Sequence, residues 1–166
     1  MNYADIKLID TINGDGLRVS LFVSGCNHYC KGCFNSEAWD PKYGKPFTEK
    51  EVDLILDTIG NKKNINYRGL SLLGGDPLYK ENLAPIYHLL LKFRKKFGDT
   101  KDVWIWSGYT INDILIGHDN DSILRQEILK LCDIFIDGRY EEDKRDLKLK
   151  YRGSSNQNVI NLKNFK

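Results

Sequence analysis

The chain has 166 residues, a length that favours one domain spanning residues 1–166. Its 25 basic and 23 acidic residues leave a formal net charge of +2, so no nucleic-acid partner is expected. No apolar stretch approaches the roughly 20 residues that cross a bilayer, which argues against a membrane protein. Residues 1–5 lack a signal-peptide pattern, so we expect a globular, cytoplasmic protein without membrane contact.

The hydrophobic pattern predicts strands that alternate with helices. The predicted strands cover residues 18–24, 69–73, 103–106, 133–136 and 159–162. The predicted helices cover residues 48–59, 83–97 and 122–131, and a short one opens at Thr110. Thr48 and Glu51 form a capping box at the first helix, and the charge-dense segment 141–150 is predicted to be a solvated loop. This βα repeat favours an α/β fold with a mostly parallel sheet. The chain has too few βα units for a closed barrel of eight strands, so we expect a partial, open β/α barrel.

Three of the four cysteines fall within eight residues, as Cys26, Cys30 and Cys33, with the spacing C-x3-C-x2-C. In a reducing cytoplasm this cluster favours a metal site over disulfides. Structural zinc needs four ligands, and His28 or Cys132 could complete such a set. An iron–sulfur cluster held by three thiolates would keep one iron open for a ligand, and the spacing favours this second interpretation. For His28 a loop-ordering hydrogen bond is favoured, and for Cys132 a place in the core.

Glycine-rich or cysteine-rich segments follow the carboxyl end of each predicted strand in the repeat. Parallel α/β folds build their sites at that edge, so the cysteine loop should face the other segments across the end of the sheet. These segments are Gly25-Cys26, Gly74-Gly75-Asp76-Pro77, Ser107-Gly108-Tyr109 and Asp137-Gly138.

The cysteine motif followed by Gly-Gly-Asp-Pro at residues 74–77 resembles the radical S-adenosylmethionine (SAM) superfamily. Within it, the C-x-H-x-C-x-G-C-x-N pattern of residues 26–35 is similar to that of the anaerobic ribonucleotide reductase activating proteins, which are glycyl radical enzyme activases. Further matching motifs lie at residues 13–18, 106–109, 137–140 and 152–157, so the resemblance covers most of the chain.

The resemblance implies a [4Fe-4S] cluster on Cys26, Cys30 and Cys33, with SAM chelating the fourth iron. Reductive cleavage of SAM would give methionine and a 5′-deoxyadenosyl radical, which would take a hydrogen atom from one glycine of the reductase. The implied protein partners are the large subunit of anaerobic ribonucleoside-triphosphate reductase and an electron donor of flavodoxin or ferredoxin type.

The same resemblance implies a set of contacts to SAM. Phe34 or Tyr29 would contact the adenine, and Ser107 the ribose or the methionine carboxylate. The side-chain-free backbone at residues 74 and 75 would approach the methionine, and Asp76 would lie near its ammonium group. The implied SAM-binding residues are Gly32, Cys33, Phe34, Gly74, Gly75, Asp76 and Ser107.

Two departures from the family pattern are visible: Asp76 stands where glutamate is common, and residues 13–16 read Asn-Gly-Asp-Gly where the wider activase group often has Asp-Gly-Pro-Gly. Two other interpretations stay open. The chain could activate another glycyl radical enzyme, of pyruvate formate-lyase type. It could also be a zinc-stabilised binding module without catalytic activity.

Overall fold

The computed structural model describes residues 1–61 and 65–165 of the chain. Its strands are β1 (Asn2–Asp10), β2 (Arg18–Val23), β3 (Lys45–Pro46), β4 (Gly69–Gly74), β5 (Asp102–Trp106), β6 (Ile134–Asp137) and β7 (Asn158–Asn161). Its α-helices are α1 (Glu49–Gly60), α2 (Leu83–Phe97), α3 (Ile111–Ile116) and α4 (Asn120–Lys130). Short 3-10 turns lie at Ser36–Trp39, Lys80–Asn82, Glu142–Lys144 and Leu162–Phe165.

The seven strands of the described residues form one sheet in the order β3-β1-β2-β4-β5-β6-β7. The central strands β2, β4, β5 and β6 run parallel, and antiparallel strands flank them on both sides. The predicted α/β class with a mostly parallel sheet is therefore confirmed. The sheet ends at β3 on one side and β7 on the other, so it is not closed.

The helices cover one face of the sheet, where the main hydrophobic core lies. Val19, Leu21 and Val23 of β2 are fully buried on this face, as the alternation of their strand predicts. Cys132 is also fully buried in this core, which confirms its predicted place. The predicted capping box of Thr48 and Glu51 is present at α1, and the structure adds a second one, in which Thr110 caps α3 with Asp113.

Strands β1 and β3 were not predicted from the sequence. Strand β1 carries few buried residues, and its pairing with β2 is irregular between Tyr3 and Asp5 and again between Lys7 and Asp10. These irregularities break the period of two on which strand prediction depends. Helix α4 also begins two residues earlier than predicted, because the Asp119 side chain caps it by accepting a hydrogen bond from the backbone N–H of Ser122.

A buried arginine braces the end of the sheet where the parallel strands begin. Arg18 is fully buried, and its guanidinium donates to Ser71 Oγ at 2.7 Å and to the Leu70 carbonyl at 2.8 Å. It also lies 2.6 Å from Asp102 Oδ1 and over the ring of Trp104. Pairing and hydrogen bonding compensate the burial of this charge, so this end of the sheet is held rigidly.

None of the helices in the described ranges is long and apolar enough to cross a membrane.

Candidate metal centre

The cysteine loop leaves β2 and turns back at Gly25, whose φ of 97° belongs to the left-handed region that glycine adopts without strain. The loop is held against the 3-10 turn that follows it. The N–H of Gly25 donates to the Ala38 carbonyl at 2.8 Å, and that of Cys26 to the Trp39 carbonyl at 3.1 Å. These backbone bonds fix where the first thiol points relative to the sheet.

The three clustered cysteines line one cavity of about 630 Å³ at the carboxyl ends of the parallel strands. Cys26 is buried, whereas Cys30 and Cys33 are partly exposed to this cavity. The predicted meeting of the cysteine loop with the other strand ends is confirmed, because residues 74, 75, 107, 108 and 138 line the same cavity.

Burial raises the pKa of the Cys26 thiol to about 12, although the backbone N–H of His28 donates a hydrogen bond to it. Burial also raises the pKa of Cys30, which accepts a hydrogen bond from the backbone N–H of Tyr140. A thiol in such a setting ionises when a bound cation supplies the compensating charge. This donor set therefore suits metal ligation better than free thiolate chemistry.

His28 and Asp76 connect the cysteine loop to the turn after β4. Their Nε2 and Oδ2 atoms lie 2.7 Å apart, and the His28 side chain is almost fully buried. The same carboxylate, 1% exposed, accepts hydrogen bonds from Ser107 Oγ at 2.9 Å, the Gly108 N–H at 3.1 Å and the Leu78 N–H at 2.7 Å. Asp76 thus joins three strand ends, and the loop-ordering hydrogen bond predicted for His28 is confirmed.

The potential ligand atoms of Cys26, His28 and Asp76 lie within 4.8 Å of one another. Nε2 of His28 is hydrogen-bonded to the Asp76 carboxylate, whereas its buried Nδ1 has no hydrogen-bond partner among the described residues. Cys132, the other residue that could complete a zinc site, is in the core beneath the sheet. The described residues therefore bring three thiols and the His28 ring to the cavity, whereas Cys132 stays apart from them.

The two glycines of the Gly-Gly-Asp-Pro turn are required by close packing. Gly74 has a φ of 113°, and a Cβ there would lie 2.6 Å from the backbone nitrogen of Val23. A Cβ on Gly75 would lie 2.6 Å from the Gly25 carbonyl oxygen. Both glycines line the cavity, and the Gly74 carbonyl accepts a hydrogen bond from the Asn35 side chain at 3.3 Å.

The remaining residues implied by the resemblance occupy different positions. Gly32, Phe34 and Ser107 line the cavity, and the Phe34 side chain is 97% exposed. Tyr29 is not among the cavity-lining residues and packs edge-on against Trp39 instead. Asp76 is likewise absent from the lining, since its carboxylate is enclosed by its protein partners. The roles of these residues toward SAM stay predictions.

The segment that follows β6 forms a wall of the cavity. The predicted solvated loop at 141–150 is indeed exposed, yet it packs on the cysteine loop, where Glu142 lies against Gly32. Tyr151, with a φ of 67°, packs its ring edge-on against Trp104, and its carbonyl accepts a hydrogen bond from Trp106 Nε1 at 2.7 Å. The only sequence signals for this wall were the motifs at residues 137–140 and 152–157.

Comparison with known proteins defines the class of this site. The chain matches the family described as "4Fe-4S single cluster domain" over residues 12–160, and the three cavity cysteines fall inside that range. It is therefore a protein with a 4Fe-4S cluster domain.

Full-length relatives give the particular family. The chain is 39% identical to the anaerobic ribonucleoside-triphosphate reductase-activating protein of Pasteurella multocida, over 99% of this chain and 100% of that protein. It is 37% identical to the protein of the same name from Escherichia coli K12, over 98% and 100% of the two chains. The protein of the same name from enterobacteria phage T4 is 38% identical, over 96% of this chain and 93% of that protein. The chain belongs to the family of anaerobic ribonucleoside-triphosphate reductase-activating proteins.

Proposed function

We propose that this protein is a radical SAM activase that generates a glycyl radical on anaerobic ribonucleoside-triphosphate reductase. The observation that carries the proposal is the meeting of Cys26, Cys30 and Cys33 at one cavity, within a matched 4Fe-4S cluster domain. We further propose that the open sheet is a partial β/α barrel of the radical SAM type. We also propose that residues 1–166 form one domain. The cytoplasm suits this centre, because a reducing compartment keeps the thiols from oxidation.

The residues present fit a [4Fe-4S] cluster. Three thiols face one cavity, and their number leaves one of four irons without a protein ligand. Backbone N–H groups of His28 and Tyr140 donate to the sulfur atoms of Cys26 and Cys30. Such N–H···S bonds stabilise thiolate charge and tune the reduction potential of a cluster. When bound, the cluster supplies the single electron that breaks a carbon–sulfur bond of SAM, giving methionine and a 5′-deoxyadenosyl radical.

The cavity wall offers the groups that a SAM molecule requires. The backbone at Gly74 and Gly75 presents polar atoms without side chains, which suits an amino-acid moiety. Phe34 offers an exposed ring for stacking on the adenine, and Gly32 lets the cysteine loop approach closely. Ser107 forms part of the same wall, and Asp76 holds it in place through the hydrogen bond between their side chains.

The reductase is the proposed macromolecular substrate. The named relatives activate this reductase, and the unclosed sheet gives a protein segment a route to the cavity. The hydrogen atom that leaves the glycine α-carbon would end on 5′-deoxyadenosine, which balances the reaction. A flavodoxin- or ferredoxin-type protein is the proposed electron donor.

Anaerobic reconstitution with iron and sulfide, followed by dithionite and SAM, tests the first part of this function. We expect 5′-deoxyadenosine in the product mixture and a paramagnetic signal from the reduced cluster. Stoichiometric zinc without iron in anaerobically purified protein would instead support a binding module. Addition of the reductase should give the electron paramagnetic resonance doublet of a glycyl radical. A doublet with pyruvate formate-lyase and none with the reductase would instead identify the protein as an activase of the pyruvate formate-lyase type.

A further inference from the structure

The most exposed large hydrophobic residues of the described chain surround the mouth of the cysteine cavity. They are Phe34 at 97%, Leu147 at 85% and Ile12 at 78% exposed. All three line the cavity although they come from separate segments, before β2, in the cysteine loop and after β6. Exposed apolar side chains gathered at one place mark interaction sites, whereas scattered ones need no explanation.

The segment carrying Leu147 is anchored at both ends. The N–H of Ser155 donates to the Lys144 carbonyl at 2.9 Å, and Arg145 forms an isolated β-bridge with Ser154. Between them, Tyr151 is bound to Trp106. Leu147 therefore lies at the tip of a loop whose two ends are hydrogen-bonded to each other. Its side chain is exposed on a loop with a defined position.

Three arginines lie on the same wall, Arg139, Arg145 and Arg152. Among the described residues, no ion pair joins any of them to a carboxylate, and the only acidic residue lining this cavity is Asp146. The Arg152 guanidinium donates to the Gln157 carbonyl, which orients it without neutralising it. The mouth of the cavity thus combines apolar contacts with an excess of positive charge.

We propose that this set of six residues, the apolar–arginine rim, docks an extended segment of the partner reductase. The set consists of Ile12, Phe34, Leu147, Arg139, Arg145 and Arg152. The segment would carry apolar side chains and at least one carboxylate beside the reacting glycine. The inference rests on the proposed function for the identity of the partner, and the rim geometry adds the chemistry that recognises it.

Beside the SAM proposed for the cavity itself, the exposed rim favours a polypeptide over a second small molecule. A small substrate is bound by an enclosed pocket that covers most of its surface, whereas these three apolar side chains are largely exposed to solvent. A chain segment crossing the mouth would cover them while its glycine, which lacks a side chain, reaches inward. Carboxylates of that segment would pair with the guanidinium groups in a bidentate manner.

The test measures binding without relying on catalysis. Cluster-free protein is immobilised, and its affinity for the anaerobic ribonucleoside-triphosphate reductase of the same organism is measured by biolayer interferometry. The double variant Ile12→Ser with Leu147→Ser should raise Kd about tenfold or more, because two apolar anchors are lost. Arg145→Gln should raise Kd severalfold and reduce its dependence on salt.

Matched controls lie elsewhere on the surface. Ile116 on α3 is 72% exposed and is not among the cavity-lining residues, so Ile116→Ser should leave Kd unchanged. Lys148 is exposed on the same loop as Arg145 but does not line the cavity, so Lys148→Gln is the charge control.

The proposal would be overturned if the double variant bound the reductase with the Kd of the wild type. It would also be overturned if the control variants lost as much affinity as the rim variants. Preference of the wild-type protein for anionic phosphatidylglycerol vesicles or single-stranded RNA over the reductase would also overturn it. Failure of the proposed function gives a different pattern. In that case the reconstituted wild-type protein forms no 5′-deoxyadenosine, while the binding difference between rim and control variants is measured independently.

Discussion

Nε2 of His28 lies 2.7 Å from Oδ2 of Asp76, and this contact joins the cysteine loop to the turn that follows β4. The contact is enclosed: the ring of Tyr109 packs edge-on against the imidazole with centroids 4.7 Å apart. The carboxylate also accepts from Ser107 and Gly108, so the arrangement of the cavity wall depends on one buried acid.

Replacement of that acid should therefore destabilise the protein even without a cofactor. Asp76→Ala removes the acceptor for several buried donors, and we expect a loss of about 3 kcal/mol or more in the free energy of unfolding. Urea unfolding of cluster-free protein measures it. The control is Asp57→Ala, whose exposed side chain pairs with Lys96 and should change stability by less than about 1 kcal/mol. Equal stability of Asp76→Ala and wild type would show that Asp76 acts only toward a ligand.

Gly108 packs directly against the imidazole ring of His28. A Cβ at Gly108 would lie 2.3 Å from Cδ2 of His28, so Gly108→Ala should cost about 1–3 kcal/mol through overpacking. Gly60→Ala at the end of α1 is the matched control, because its nearest neighbour is the flexible end of Lys96 at 3.3 Å.

A double-mutant cycle identifies His28 as the cause of that cost. In a His28→Ala background the clash is absent, so Gly108→Ala should lose most of its effect, with a coupling energy of about 1 kcal/mol or more. Chemical denaturation of the four proteins of the cycle gives this value. Additive effects of the two substitutions would contradict the predicted contact.

The cysteines should divide into two classes when each is replaced. Cys26→Ala, Cys30→Ala and Cys33→Ala should each lose bound iron and sulfide after anaerobic reconstitution, because three thiols supply every protein ligand of the proposed cluster. Cys132→Ala should keep the iron of the wild type and lose about 1 kcal/mol of stability, since it removes one buried sulfur from the core. Iron retention in Cys30→Ala would rule out the proposed ligand set.

Acid should weaken the first helix through its capping box. Hydrogen bonds from the Thr48 side chain and backbone hold the pKa of Glu51 below its usual 4.5. The folded state then binds fewer protons than the unfolded state, so the stabilisation is complete above about pH 4.5 and is lost as pH falls through the folded-state pKa. Glu51→Gln should accordingly reduce the decline in the free energy of unfolding between about pH 6 and pH 3.

The exposed Glu81 lies outside the α-helices and provides the control for this measurement. Glu81→Gln is the matched carboxylate-to-amide substitution outside the capping box. Asp10 and Asp113 also have lowered pKa values in the fold, so Glu51→Gln should reduce the acid sensitivity and not abolish it. An unchanged profile in Glu51→Gln would contradict the role of the box.

Local signals explain which features of the fold the sequence determined. Helix α2 was predicted at Leu83–Phe97, its observed bounds, because its apolar stripe and the glycine that follows it are local features. The spacing of Cys26, Cys30 and Cys33 is equally local, so the amino-acid sequence alone was enough to predict a metal centre. Strand β1 escaped prediction because its pairing with β2 and β3 defines it, and its own residues carry no regular alternation.

The tertiary structure decided how the site is assembled. The position of Asp76 near the ammonium group of SAM stays a prediction, and the protein partners that the structure gives it, His28 and Ser107, are 48 and 31 residues away in the chain. The N–H of Tyr140 at Cys30 and the exposed Leu147 at the cavity mouth depend likewise on where a distant segment packs. Sequence periodicity and motif spacing report neighbours along the chain. Hydrogen bonds and contacts between distant segments form only once the sheet has brought its strand ends together.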